Sequence, residues 1–146
     1  MTISLNGEEV GKKIAESIPG SVVISDRTSV VVDSKYLHAV AEWLKQSDEF
    51  DFNYLSFLTC VDYLEYFEVV YRLVSLNRNH SLILKTRCHT RETPIIPSVV
   101  DTWRAADYQE REVFDLFGIK FEGHPNMKRL LLWEGFEGYP LRRDYL

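Results

Sequence analysis

The chain has 146 residues, 45% apolar and 13% aromatic, enough for one domain with a real core. A net charge of −5 and the lack of any Lys/Arg-rich block argue against a nucleic-acid partner. The longest run without a charged residue, Phe52–Val61, is half of the roughly 20 residues that a membrane-spanning helix needs.

Met1–Gly7 has neither a basic region nor an apolar core, so no signal peptide is expected. Residues 7–19 carry a helical pattern. Asn6 can cap it, Glu9 follows three residues later, and Val10, Ile14 and Ile18 form one stripe before Pro19-Gly20. Ser21–Ser25 and Ser29–Asp33 are valine-rich and flank Asp26-Arg27-Thr28, which predicts a hairpin. Ser34 is expected to cap a second helix over 35–46, with Tyr36, Leu37, Val40, Trp43 and Leu44 on one face. Phe52–Val61, Glu68–Leu76 and Ser81–Arg87 predict strands, with turns at Tyr63–Phe67 and Asn77–His80. This order implies an α+β fold, a small mixed or antiparallel sheet with two N-terminal helices packed on it.

Thr93-Pro94-Ile95-Ile96-Pro97 interrupts the pattern. Ser98 then suits an N-cap, and Val99, Trp103, Ala106, Glu110, Val113 and Phe117 recur at helical spacing up to Gly118. A helix is expected at about 98–117, continuous or broken near Arg104. Residues 118–146 hold four of the seven glycines, with Phe121, Leu130–Trp133, Phe136, Tyr139 and Leu141 in no lasting period. The expected organisation is a domain over 1–117 and an extended C-terminal arm over 118–146. The arm should cover either its own domain or a partner.

Glu110 shares its helical stripe with Trp103, Ala106, Val113 and Phe117, so its carboxylate faces the packed side. Three roles are open: a pair with Arg129, Arg142 or Arg143, a docking point for another subunit, or acid–base chemistry. Asp107, Arg111 and Asp115 are four apart and predict an ion-pair ladder on a solvated helix edge. His38 is expected at the surface, and His124, before Pro125, in a structural hydrogen bond. Cys60, Cys88, His80 and His89 lack zinc-ligand spacing, and two cysteines can hold neither a disulfide framework nor an iron–sulfur cluster unaided. No nucleotide-binding, nucleophile-elbow or zinc-protease motif occurs, so an independent enzyme built on Glu110, Glu112 and His124 is the weaker hypothesis.

Glu110-Arg111-Glu112, Asp115, Leu116-Phe117, His124, Lys128 and Leu130-Leu131 match a signature position by position. With Pro97-Ser98-Val99, Phe121-Glu122-Gly123-His124-Pro125 and Gly138-Tyr139-Pro140-Leu141-Arg142-Arg143-Asp144-Tyr145, the chain resembles the 30-kDa subunits of respiratory complex I. These are called the C subunit in bacteria and the J subunit in cyanobacteria and plastids. Asp107-Tyr108-Gln109 departs from a tryptophan found there in many relatives.

The resemblance implies a non-catalytic peripheral-arm subunit of a proton-translocating NADH–quinone oxidoreductase, on the cytoplasmic face of the cell membrane. It implies no cofactor in this chain, with FMN and iron–sulfur clusters in other subunits. The implied partners are the quinone-site large subunit and the small iron–sulfur subunit. The alternative is the equivalent subunit of a membrane-bound hydrogenase or of a ferredoxin- or F420-linked relative. The interface set expected on this basis is Glu110, Arg111, Glu112, Asp115, His124, Pro125, Lys128, Arg129, Pro140, Leu141, Arg142, Arg143, Asp144 and Tyr145.

Overall fold

The computed structural model describes residues 2–133 and 135–145. A six-stranded mixed sheet forms the centre. Its strands are β1 (Ile3–Ser4), β2 (Val22–Ser25), β3 (Ser29–Val32), β4 (Tyr54–Asp62), β5 (Phe67–Ser75) and β6 (His80–Cys88). They lie in the order β2-β3-β6-β5-β4, with β1 also on β6. β4, β5 and β6 form an antiparallel meander, whereas β3 and β1 run parallel to β6. The predicted α+β class is the observed one.

Helices α1 (Gly7–Ser17) and α2 (Leu37–Gln46) supply the layer over the sheet. Asn6 caps α1 by accepting the Glu8 N–H at 2.9 Å, as its position predicted. Val10 and Ile14 of α1 and Leu37, Val40, Ala41 and Leu44 of α2 are buried in one core with Val30, Val32, Leu82, Leu84 and Tyr71. Along β4 the inward residues Leu55, Leu58 and Cys60 alternate with exposed Phe57, Thr59 and Val61, the period of a half-covered sheet. The second helix departs from expectation at its start. Residues Ser34–Tyr36 form a 3-10 turn, and Asp33, not Ser34, caps it by accepting the Lys35 N–H.

The third helix, α3, runs Ala106–Phe117; residues 98–105 form turns with no helix of their own, so the expected 98–117 span shortens at its start. Lys45 of α2 donates to the Thr102 carbonyl at 2.7 Å. A continuous helix would need that carbonyl for the Ala106 N–H. The Ala106 N–H bonds the Trp103 carbonyl at 3.0 Å instead, and α3 starts there. Trp103 anchors the preceding turn by donating Nε1–H to the Phe52 carbonyl at 2.8 Å.

Besides the short β1, two strands escape sequence detection. β7 (Ile95–Pro97) and β8 (Lys120–Glu122) pair in parallel and form a separate ribbon that brackets α3 in the chain. Ile96, Ile119 and Phe121 bring this ribbon into the core. The first part of the stretch that composition assigns to the arm therefore packs on the domain, and irregular chain begins after Glu122.

Candidate functional site

The signature residues meet on two sides of α3, and its two buried carboxylates solve burial differently. Glu110 is fully buried. It accepts the Ser98 hydroxyl at 2.6 Å and the Val99 N–H at 2.9 Å, both from the turn after β7. The expected pairing with Arg129, Arg142 or Arg143 is thus overturned, because a neutral cradle reaches the carboxylate first. Burial pushes Glu110 up to about 7, partly opposed by those two hydrogen bonds and aided by the charges of Asp107 and Asp101. The Tyr71 hydroxyl is also buried and has no hydrogen-bond partner among the described residues. Burial, and then the Glu110 charge, raise its phenol well above the ordinary range.

Asp115 is equally buried but charged. It accepts the N–H groups of Leu130, Leu131 and Leu132 at 3.1, 2.6 and 2.9 Å and the Arg129 guanidinium at 3.1 Å. Burial would raise its pKa, but these four donors outweigh it and hold the carboxyl below its usual range. The predicted Asp107–Arg111–Asp115 ladder is therefore absent. Asp115 turns to the arm, Arg111 donates to the carbonyls of Lys128 and Arg129 at 3.3 Å, and Asp107 faces His124. The arm folds back over this helix edge, buries Asp115 and half-buries Asp107 and Arg111.

Arg129 ties both halves of the arm together. Besides Asp115 it donates to the carbonyls of Phe136 and Gly138, and its guanidinium lies over the Tyr139 ring at 4.8 Å. Arg142 donates to the Phe117 carbonyl at 2.5 Å and sits over both Phe67 and Tyr139. His124 accepts the Asn126 N–H on Nδ1, so Nε2 carries the proton and donates to the Asp107 carbonyl at 3.2 Å. The Asp107 Oδ1 lies 3.0 Å from the same Nε2 without hydrogen-bond geometry, so that contact is electrostatic only.

Among the remaining signature residues, Glu112, Pro125, Lys128, Leu141, Arg143, Asp144 and Tyr145 are exposed and Pro140 is half-buried. The Leu141 N–H still bonds the Leu116 carbonyl at 3.0 Å.

Sequence reasoning missed a second anchor. Asp62, at the end of β4, takes a two-pronged contact from Arg91 at 2.8 and 2.9 Å and the Arg143 N–H at 2.8 Å. Hydrogen bonding by Arg91 holds Asp62 down at about 2 against its burial. Arg91 also reaches Asp144 at 3.0 Å, so the end of the arm is stapled to the sheet. An acidic residue closing a strand before a Tyr-Leu-Glu-Tyr turn was the available signal.

Gly118 sits at φ +83°, the left-handed helix end expected of it. An added Cβ would lie 2.7 Å from the Tyr139 ring and 2.9 Å from Arg142. Gly118→Ala therefore meets both backbone strain and the arm. The expected loss is about 2 kcal/mol in a urea melt, with the arm released before the sheet unfolds.

The C-terminal segment of this domain is thus pinned by buried carboxylates and stacked arginines, while Leu131, Trp133 and Leu141 turn outward. The chain belongs to the respiratory-chain NADH dehydrogenase 30 Kd subunit family, which matches residues 30–146. It is 39% identical over 140 residues to the C subunit of NADH-quinone oxidoreductase from Roseiflexus sp. (strain RS-1), covering 94% of this chain and 80% of that one. It is 42% identical over 117 residues to the NADH-quinone oxidoreductase C/D subunit of Phocaeicola vulgatus, covering 80% of this chain but 22% of that protein. In structure it resembles a chain of the membrane-bound sulfane sulfur reductase, an archaeal respiratory membrane complex. The TM-score is 0.75 at 28% identity, over 94% of this chain and 84% of that one. Among the described residues, no helix is long and apolar enough to cross a membrane.

Proposed function

We propose that this chain is a non-catalytic peripheral-arm subunit of a proton-translocating NADH–quinone oxidoreductase, with the arm as its docking surface. It sits beside the quinone-site large subunit and the small iron–sulfur subunit, on the cytoplasmic face of the membrane, and FMN and the clusters lie in other subunits. The signature residues then divide into two groups. Asp115, Arg129 and Arg142 shape the arm and Glu110 fixes α3 to the turn after β7, whereas Glu112, Lys128, Leu141, Arg143 and Tyr145 are presented outward.

One observation carries this proposal. The arm uses its polar side chains to hold its own shape and leaves Leu131, Trp133 and Leu141 at 60, 69 and 53% exposure. Large aromatic and aliphatic side chains on a pinned segment are the usual anchors of a protein interface. The Phocaeicola relative, whose name joins C and D in one protein, supports a large subunit as direct neighbour.

The test co-expresses the chain with the large subunit of its own complex. Leu131→Asp with Trp133→Asp should leave the domain folded, because both side chains already face solvent, yet abolish co-purification. Undiminished co-purification would sink the docking role of the arm. The likeness to a sulfane sulfur reductase chain favours a second reading, an equivalent place in a hydrogenase-like or ferredoxin-linked complex. The electron-input subunits that co-purify with the native chain distinguish the two.

A further inference from the structure

A second cluster lies apart from the arm, where α2 meets the turn after β7. His38 and Glu42 are four residues apart on α2 and share one helix face. Asp101 comes from the turn 63 residues away, with both carboxylate oxygens at 2.9 and 3.0 Å from His38 Nε2. Glu42 Oε1 is 3.8 Å from the same nitrogen. One donor atom from each residue falls within 4.8 Å of the others.

Two features separate this cluster from an ordinary surface ion pair. Neither carboxylate is matched by Lys or Arg among the described residues; the nearby Lys45 ammonium is committed to the Thr102 carbonyl. Two negative charges therefore share one imidazole. Glu42 is also pre-positioned, because Oε1 accepts the Thr102 hydroxyl at 2.5 Å and Oε2 the Gln46 amide at 3.0 Å. Such supporting contacts orient ligand carboxylates. Beside the cluster, a cavity of about 370 Å³ lined by His38, Ser98, Asp101 and Glu122 leaves room for water on the open side.

We propose that His38, Glu42 and Asp101 form a binding site for a divalent transition-metal ion of the zinc class. Tetrahedral bonds of about 2.0–2.1 Å place donor atoms about 3.3 Å apart, and the three donors need only small side-chain rotations to reach that spacing. A nitrogen ligand with two carboxylates suits zinc, whereas magnesium and calcium prefer oxygen alone. Three protein ligands leave the fourth position for water from the cavity. The ion replaces the proton on Nε2 and clamps α2 to the turn that carries Ser98 and Val99. It thereby stiffens the cradle of Glu110 without touching the arm.

The full chain, stripped of metal, is titrated with Zn2+ at neutral pH by calorimetry. The expected result is one equivalent with a micromolar or tighter dissociation constant and a raised melting temperature. His38→Ala and, separately, Asp101→Asn should each weaken binding about tenfold or more while circular dichroism stays native. His89→Ala, just past β6 and outside the cluster, should change nothing. Co2+ should give the visible bands of a four-coordinate ion in the parent and lose them in His38→Ala. Uptake that is unchanged in both ligand variants overturns the site. Mg2+ binding as tight as Zn2+ overturns its chemical class.

Discussion

Asp115→Ala should release the arm and leave the sheet standing. In one step the substitution strands the N–H groups of Leu130, Leu131 and Leu132 and removes the carboxylate partner of Arg129. Removing one partner of a buried charged pair costs about 3–5 kcal/mol, because the other is left uncompensated. A segment held by few other contacts does not absorb that cost in place; it detaches. The remaining anchors, Arg111 on the carbonyls of Lys128 and Arg129 and, at the far end, Arg142 on the Phe117 carbonyl and Asp62 on the Arg143 N–H, do not replace those bonds. Amide exchange should rise by orders of magnitude in peptides covering residues 129–139, with β5 and β6 unchanged. Glu112→Ala, three residues earlier in the same signature and exposed, is the matched control and should alter neither. Equal protection of 129–139 in the Asp115→Ala protein would show that the carboxylate does not hold the arm. If the arm is the docking surface, the same variant should also lose its large partner.

The contrast between these two acids marks how far the sequence can be read. Long strands, the Asp26–Thr28 hairpin and the stripes of α1 and α2 were legible, since period 2 and period 3.6 repeat enough times to be counted. β1, β7 and β8 span two or three residues and carry no countable period. Ile95-Ile96-Pro97 even reads as a breaker because of its proline, although an edge position tolerates one. The stripe on α3 placed Glu110 on the buried side, and it is there. Its partners could not be read, because a backbone N–H has no letter of its own and a serine at a helix start invites a capping role. Ser98 does bond a nearby backbone N–H, that of Val100, yet its hydroxyl proton goes to Glu110. Asp115 failed for a different reason. Helical spacing assigns it to an edge, and only a segment returning from 15 residues downstream makes that edge interior. His38 and Asp101 lie farther apart still, 63 residues, so no local spacing brings them together in the sequence.

The pH dependence of Glu110 should run opposite to that of Asp115 and Asp62. Glu110 titrates at about 7 in the folded chain against an ordinary 4.5. Below pH about 4.5 folded and unfolded chains both hold the proton, and its contribution is fully present. Between about 4.5 and 7 the unfolded chain gives up the proton and the folded chain keeps it, so stability falls as pH rises. At about 1.36 kcal/mol per pH unit the loss reaches roughly 3 kcal/mol, and it is complete above pH about 7. Asp62, held at about 2, gives the reverse slope: its stability is lost only as pH falls from about 4 towards 2. Glu110→Gln separates the two. The amide oxygen can accept the Val99 N–H, and the amide nitrogen can donate to the Ser98 hydroxyl oxygen, so the cradle is refilled without a charge. Urea melts should find the variant close to the parent near pH 5 and more stable by about 2–3 kcal/mol at pH 8, with the acid limb from Asp62 and Asp115 unchanged. Parallel parent and variant curves across that interval would mean that Glu110 ionises in its cradle without penalty. Glu110→Ala, by contrast, leaves the Val99 N–H and the Ser98 hydroxyl without their carboxylate acceptor and should destabilise at every pH.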